Sequence, residues 1–224
     1  MFTAFSMMEP QFIPNQIAGL VGWWDMSSYS AGSWADKSGV GYNLTPQITE
    51  VLDGDGLGFA QSNTSARWYN SSATNYNYGT GDLPLTFITW AKPTTFSGNW
   101  QVLMNVRSGA PRWVFYKENS TNYFHFDPGV TEAPKVNIND YAGDWHMFSA
   151  TLDASNNVTL AIDTTPVSSG SGWSPGGSST YFAIGGNTLN ESWSGSIGAS
   201  MIYENELSTD DLTNIYNYYQ SAGY

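Results

Sequence analysis

The segment 193–219, WSGSIGASMIYENELSTDDLTNIYNYY, narrows the fold more than any other part of the chain. Its first half reads as a strand over 196–203, because Ile197, Ala199, Met201 and Tyr203 recur at every second position, the period of a half-buried strand. Its second half reads as a short helix. Ser208 stands at the N-cap, and Asp211 three residues later gives the spacing of a capping box, with Asp in the usual place of Glu. Leu207 and Leu212 have the spacing of a hydrophobic staple, and Asp210 and Asp211 lie in the first turn, where the helix dipole favours negative charge. Leu212, Ile215, Tyr216 and Tyr219 form one apolar stripe. A core strand therefore runs out into a turn, and the following helix packs its stripe back onto the sheet.

The rest of the chain reads as strands between Gly, Asn and Ser turns. The clearest is 85–92, LTFITWAK, with Leu85, Phe87, Thr89 and Ala91 on one face and Ile88 and Trp90 on the other. Residues 102–106, 113–116 and 123–126 read as a meander. Residues 145–153 and 158–163 read as a hairpin closed by the polar residues 154–157. Residues 17–25, 57–60, 66–69 and 181–184 add further strands, and the Gly/Ser-rich stretch 168–180 reads as a loop carrying Trp173. About a dozen strands of this kind describe an all-β, two-sheet antiparallel sandwich of jelly-roll type with a short C-terminal helix. Residues 17–224 form that domain. Residues 1–16 form an arm rich in Phe2, Phe5, Met7, Met8, Phe12 and Ile13, with Pro10 and Pro14 breaking any helix. Exposed, such an arm would be an adhesive patch, so it is expected to dock on its own domain or on another chain.

Composition removes several functions. The chain has 224 residues, 41% of them hydrophobic and 16% aromatic, enough for a sizeable core. It contains no cysteine, which excludes disulfides, thiolate zinc sites and thiol catalysis. A net charge of −12, with only 7 basic residues, opposes nucleic-acid binding. No apolar run reaches the roughly 18 residues of a membrane span, and the opening MFTAFSMMEP lacks the basic and long apolar regions of a secretory signal. The Asn-x-Ser/Thr matches at Asn43, Asn63, Asn70, Asn119, Asn157 and Asn190 read as loop composition.

Two ordered patterns carry a family resemblance. The closing segment runs Trp-x-Gly-x-Ile, a strand ending Ile202-Tyr203, Leu207-Ser208, then an acidic helix reaching Ile215-Tyr216. The opening runs Phe12-x-Pro14-x-x-Ile17-x-Gly19-Leu20, Trp23, Asp25, then Trp34-x-Asp36-Lys37-Ser38-Gly39 before Asn43-Leu44. In this order the chain, over roughly 17–219, resembles laminin-G-like domains of the concanavalin A-like lectin/glucanase fold. The resemblance implies that 57–60 and 66–69 are paired strands and that the Asp36 segment makes a turn. The opening is similar to versions common in virus and phage structural proteins. The resemblance also marks Asp25 as the one carboxylate where the family ligates a structural Ca2+, but the Asp usual after the Ile of Gly-x-Ile is Gly198 here. The expectation is a domain without a cofactor, with Asp25 the single residue at which Ca2+ would be sought.

Glucanases of this fold use Glu-x-Asp-x-(x)-Glu, which sets carboxylates along one strand for hydrolysis, and no such run occurs here. His125 and His146 lack the partners of a triad and read as structural. Asp53-Gly-Asp55-Gly56 reads as a tight acidic turn, since no bidentate Glu follows. Trp100, Trp173, Tyr76 and Tyr78 lie in loop-like stretches, where aromatic rings stack on sugars or seal an assembly interface. The expectation is a non-enzymatic virion component, a capsid decoration, fibre or tail protein on the particle surface. It would bear a lectin-like domain that meets cell-surface glycans, and its arm would dock on other copies or on other virion proteins. A free extracellular or soluble carbohydrate-binding module is the alternative, and a glycan hydrolase or lyase a remote third.

Overall fold

The computed structural model describes residues 12–47, 49–61, 68–70, 84–94, 100–107, 112–119, 121–127, 134–171, 181–186 and 191–224. Phe2, Phe5, Met7, Met8, Tyr76, Tyr78 and Trp173 lie outside them. In chain order the strands are β1 (Leu20–Trp24), β2 (Tyr29–Ser30), β3 (Ser33–Trp34), β4 (Thr45–Pro46), β5 (Phe59–Gln61), β6 (Trp68–Asn70), β7 (Leu85–Pro93) and β8 (Gln101–Arg107). They continue as β9 (Arg112–Lys117), β10 (Tyr123–Asp127), β11 (Lys135–Asn137), β12 (His146–Leu152), β13 (Val158–Ile162), β14 (Thr165–Gly170), β15 (Tyr181–Ile184) and β16 (Gly195–Tyr203), and the helix α1 (Thr209–Ser221) follows.

The strands form two seven-stranded antiparallel sheets and a small ribbon of β2 and β3. The first sheet runs β1-β16-β7-β12-β13-β14, with β5 also on β16; the second runs β11-β10-β9-β8-β15-β6-β4. The jelly-roll sandwich expected from the sequence is present. Between the sheets lies a core that includes Phe87, Phe148, Ile162 and Ile197 with Trp24, Trp34, Phe59, Trp68, Phe115, Phe124, Phe126 and Trp193. Alternation along β7 explains the layering. Phe87 and Ala91 enter this core, whereas Ile88 and Trp90 face the other side of the sheet.

That second face is covered by α1. Leu207, Leu212, Ile215 and Tyr219 bury against Ile88, Trp90, Met147, Met201 and Tyr203. The cap has the expected form, since the Ser208 Oγ accepts from Asp211 N at 3.1 Å and Ser208 N donates to Asp211 Oδ2 at 3.1 Å. The described end of the arm docks beside the helix. The Phe12 ring meets Tyr218 edge-on at 6.4 Å, and Tyr203 Oη donates to the Pro14 carbonyl at 3.0 Å. Ile13 is 37% exposed.

Two readings need correction. Among the described residues, the strands in the stretches 57–60 and 66–69 are not paired with each other. β5 joins β16 in the first sheet, and β6 joins β15 and β4 in the second. Ser168, Ser169 and Gly170 are not loop but the end of β14, paired with β13 across a register shift. Cross-strand pairing there overrides the turn-like composition.

Candidate functional site

The second sheet turns one face to the core, and among the described residues no helix covers the other. Phe115, Phe124 and Phe126 point inward, so the alternating positions Val114, Tyr116, Tyr123, His125 and Asp127 point outward. Register aligns them across strands, with Val102 opposite Tyr116, Tyr116 opposite His125, and His125 opposite Lys135.

The result is a row of rings. Tyr116 and His125 stack with centroids 5.1 Å apart and planes 3° from parallel. Trp100, just before β8, closes one end at 5.1 Å from Tyr116. Tyr123 meets His125 edge-on at 6.4 Å, and Lys135 Nζ stands 5.1 Å from the Tyr123 ring centre. The inner members are sealed, Tyr116 at 9% and His125 at 7% exposure, whereas Trp100 at 37% and Tyr123 at 43% face solvent. Because Tyr116 and His125 occupy each other's ring faces, Trp100 and Tyr123 carry the apolar surface that an incoming ligand could cover.

Polar groups border the row. Glu118 Oε2 accepts from Thr121 Oγ1 at 3.0 Å and lies 3.5 Å from His125 Nε2, an ion-pair distance rather than a hydrogen bond. Burial pushes the His125 imidazole below its ordinary range; Glu118 and Asp127 oppose that shift and Lys135 adds to it. His125 Nε2 and the Ser192 Oγ, itself 1% exposed beside Val102, have no hydrogen-bond partner among the described residues. Exposed rings for C–H surfaces, with the Glu118 carboxylate and the Lys135 ammonium beside them, are what a small polar ligand with apolar faces requires.

Trp100 was legible in the sequence as a candidate ring. Tyr116, Tyr123 and His125 were not read as part of a site, because each looked like one more alternating strand residue. The pairing register is the signal that unites them.

A second place has a different character. A cavity of about 180 Å3 beside α1 is lined by Asp25, Met26, Leu57, Tyr218, Tyr219 and Tyr224 among others. Its carboxylate is engaged. Asp25 Oδ2 accepts from Lys37 Nζ at 2.7 Å and Tyr219 Oη at 3.2 Å; Oδ1 accepts from Ser27 N at 3.0 Å and Ser27 Oγ at 2.6 Å. Lys37 Nζ also lies 3.8 Å over the Trp23 ring. Gly198 admits the Tyr224 ring, whose hydroxyl accepts from Ala199 N at 3.1 Å and donates to the Leu57 carbonyl. Among the described residues no three His, Asp or Glu side chains converge as metal ligands, and no helix is long and apolar enough to cross a membrane.

A family model described as concanavalin A-like lectin/glucanases superfamily matches residues 71–213. No curated protein matches the chain. Among solved structures, the receptor-binding domain of botulinum neurotoxin C/D mosaic serotype has a TM-score of 0.67 at 14% identity, over 91% of this chain and 51% of that one. Botulinum neurotoxin type C has a TM-score of 0.67 at 13% identity, over 94% and 52%. Trypanosoma rangeli sialidase has 0.65 at 13% identity, over 89% and 32%. The chain thus spans about half the length of the neurotoxin chains and about a third of the sialidase chain. At these identities the likeness is one of fold.

Proposed function

The chain belongs to the concanavalin A-like lectin/glucanases superfamily, and from that premise we propose that it is a non-enzymatic, lectin-like domain that binds glycans on the outer face of its second sheet. The observation that carries this reading is the ring row ending in the exposed Trp100 and Tyr123, with the Glu118 carboxylate and the Lys135 ammonium beside it. A pyranose offers C–H faces to such rings and hydroxyls to a carboxylate or an ammonium beside them. A binding rather than hydrolytic role is favoured by the missing Glu-x-Asp-x-(x)-Glu run. Relatives by fold are consistent with it: cell entry of botulinum neurotoxin type C is dependent upon interaction with two ganglioside molecules. The test is Trp100→Ala. It should cut glycan affinity at least tenfold, read on an array with multimerised protein, while leaving the melting temperature unchanged. Equal binding by the variant would remove this face from the function.

The residues around Asp25 do not fit Ca2+, because the Lys37 ammonium already neutralises the carboxylate and Tyr224 fills the space above Gly198. We therefore propose a domain that works without metal. Excess chelator should leave both the melting temperature and glycan binding where they were, and a fall of several degrees would show a bound cation.

Attachment to a virus or phage particle is the narrower proposal. It is favoured by the opening pattern from Phe12 to Asp25 and by the apolar residues at positions 2, 5, 7 and 8. Its test is given with the arm below.

A further inference from the structure

We infer that the candidate face takes a linear glycan of at least three sugar units, laid across the strands, and not a single sugar; the inference rests on the lectin reading above. Pairing register carries it. Gln101 is opposite Lys117, and Lys117 is opposite Phe124. The next position on each strand therefore sets Trp100 beside Glu118 and Glu118 beside Tyr123. Glu118 N donates to the Tyr123 carbonyl at 2.9 Å, which fixes the second of these pairs. All three side chains stand on the outer face, because each touches its sealed rings: Trp100 meets Tyr116, and Glu118 and Tyr123 meet His125. The two exposed rings thus flank the carboxylate and lie two strand spacings apart, about 10 Å.

Exposure sets the direction of the ligand. Trp100, the Glu118 side chain and Tyr123 form an open line, and Tyr123 is the most exposed ring of the row even with Lys135 Nζ 5.1 Å from its centre. The neighbouring line on the same face, Val102, Tyr116 and His125, is buried. A ligand that followed β8 or β10 away from either exposed ring would run onto closed surface, whereas one that crosses from β8 to β10 stays on open surface. One sugar covers one ring. A unit of an extended glycan is about as long as one strand spacing, roughly 5 Å, so rings two spacings apart meet alternate units. The unit between them lies over Glu118. Thr121 Oγ1 donates to Glu118 Oε2 at 3.0 Å and so holds the carboxylate in place. The middle unit gives hydroxyl hydrogens to that carboxylate, and the outer units give C–H faces to Trp100 and Tyr123. Once a chain is held on one ring its contact with the other is intramolecular, so affinity rises in a step when the chain first spans both.

The experiment is solution calorimetry with the full chain, not multimerised, against cello-, chito-, xylo- and manno-oligosaccharides and any linear glycan found on the array, each as fragments of one to six units. In every series that binds, three units should bind about tenfold more tightly than two, with little further gain beyond four. Trp100→Ala and Tyr123→Ala should each remove the step, so that three units bind no better than two. A variant that only loosened the fold would weaken all lengths by the same factor. A single unit that binds as tightly as its three-unit fragment would overturn this inference and leave the lectin reading standing. A step that survives both substitutions would overturn the assignment to these two rings. If no series binds at any length, the lectin reading fails and this inference with it.

Discussion

Gly198 is the residue at which family likeness and this particular chain part company. A Cβ placed there would lie 2.2 Å from Tyr224 Cε1 and 2.6 Å from its hydroxyl, closer than any side-chain carbon can sit. The ring is not free to swing away at no cost. It is held by Ala199 N and the Leu57 carbonyl, and it packs on Trp90, Trp145 and Tyr219. Gly198→Ala should therefore destabilise the domain by about 1–3 kcal/mol, the usual range for overpacking a filled site. A double-mutant cycle with Tyr224→Ala would show strong coupling, because the second change removes the atoms that clash. Additive effects would mean that the ring does not hold the site. Sequence alone showed that the expected Asp was absent here; that a tyrosine from 26 positions further on needs the space required coordinates. Asp25 teaches the same lesson. Its position suggested a cation ligand, and the cation beside it is the chain's own Lys37.

Elements were legible where local signals agreed with tertiary demands. The helix is the clearest instance: cap, staple, acidic first turn and apolar stripe all pointed to a helix that starts after Ser208 and carries its stripe to Tyr219, and it runs over Thr209–Ser221. Ser208→Ala removes the side-chain acceptor of Asp211 N and should cost about 1 kcal/mol. Because α1 buries its stripe against β1, β7, β12 and β16, the loss would appear in the global melting temperature rather than as local fraying, and an unchanged midpoint would show that the cap is dispensable. The β12–β13 hairpin was equally readable, with Asn156 taking the positive φ of 66° that its polar turn demands. Short strands were not. β5 and β6 are three residues each, and nothing within three residues says which sheet a strand will join. β14 was hidden by Ser and Gly because its partner β13, not its own propensity, makes it a strand.

At the scale of the whole molecule the sandwich could be read from strand order, whereas the candidate face could not. A sheet's outer face becomes a surface only once the order β11-β10-β9-β8 is known, and that order lines up Lys135, His125 and Tyr116 from three separate strands. The arm shows the same dependence on long-range packing. Its sequence marked 1–16 as one adhesive unit, yet Phe12 and Pro14 are bound to the domain through Tyr218 and Tyr203. Two truncations should therefore behave differently. Removing residues 2–11 should leave the melting temperature unchanged, since the Phe12 ring and the Pro14 carbonyl stay in place. Under the assembly proposal, that protein would sediment as a smaller species than the full chain or fail to join its particle. Removing residues 2–16 should in addition destabilise the domain, because the buried Tyr203 hydroxyl loses its acceptor, a loss of about 1–3 kcal/mol for an unsatisfied buried group. If the shorter deletion assembles as the full chain does, residues 2–11 play no part in attachment. If the longer deletion melts where the full chain melts, the docked segment does not stabilise the sheet face on which it lies.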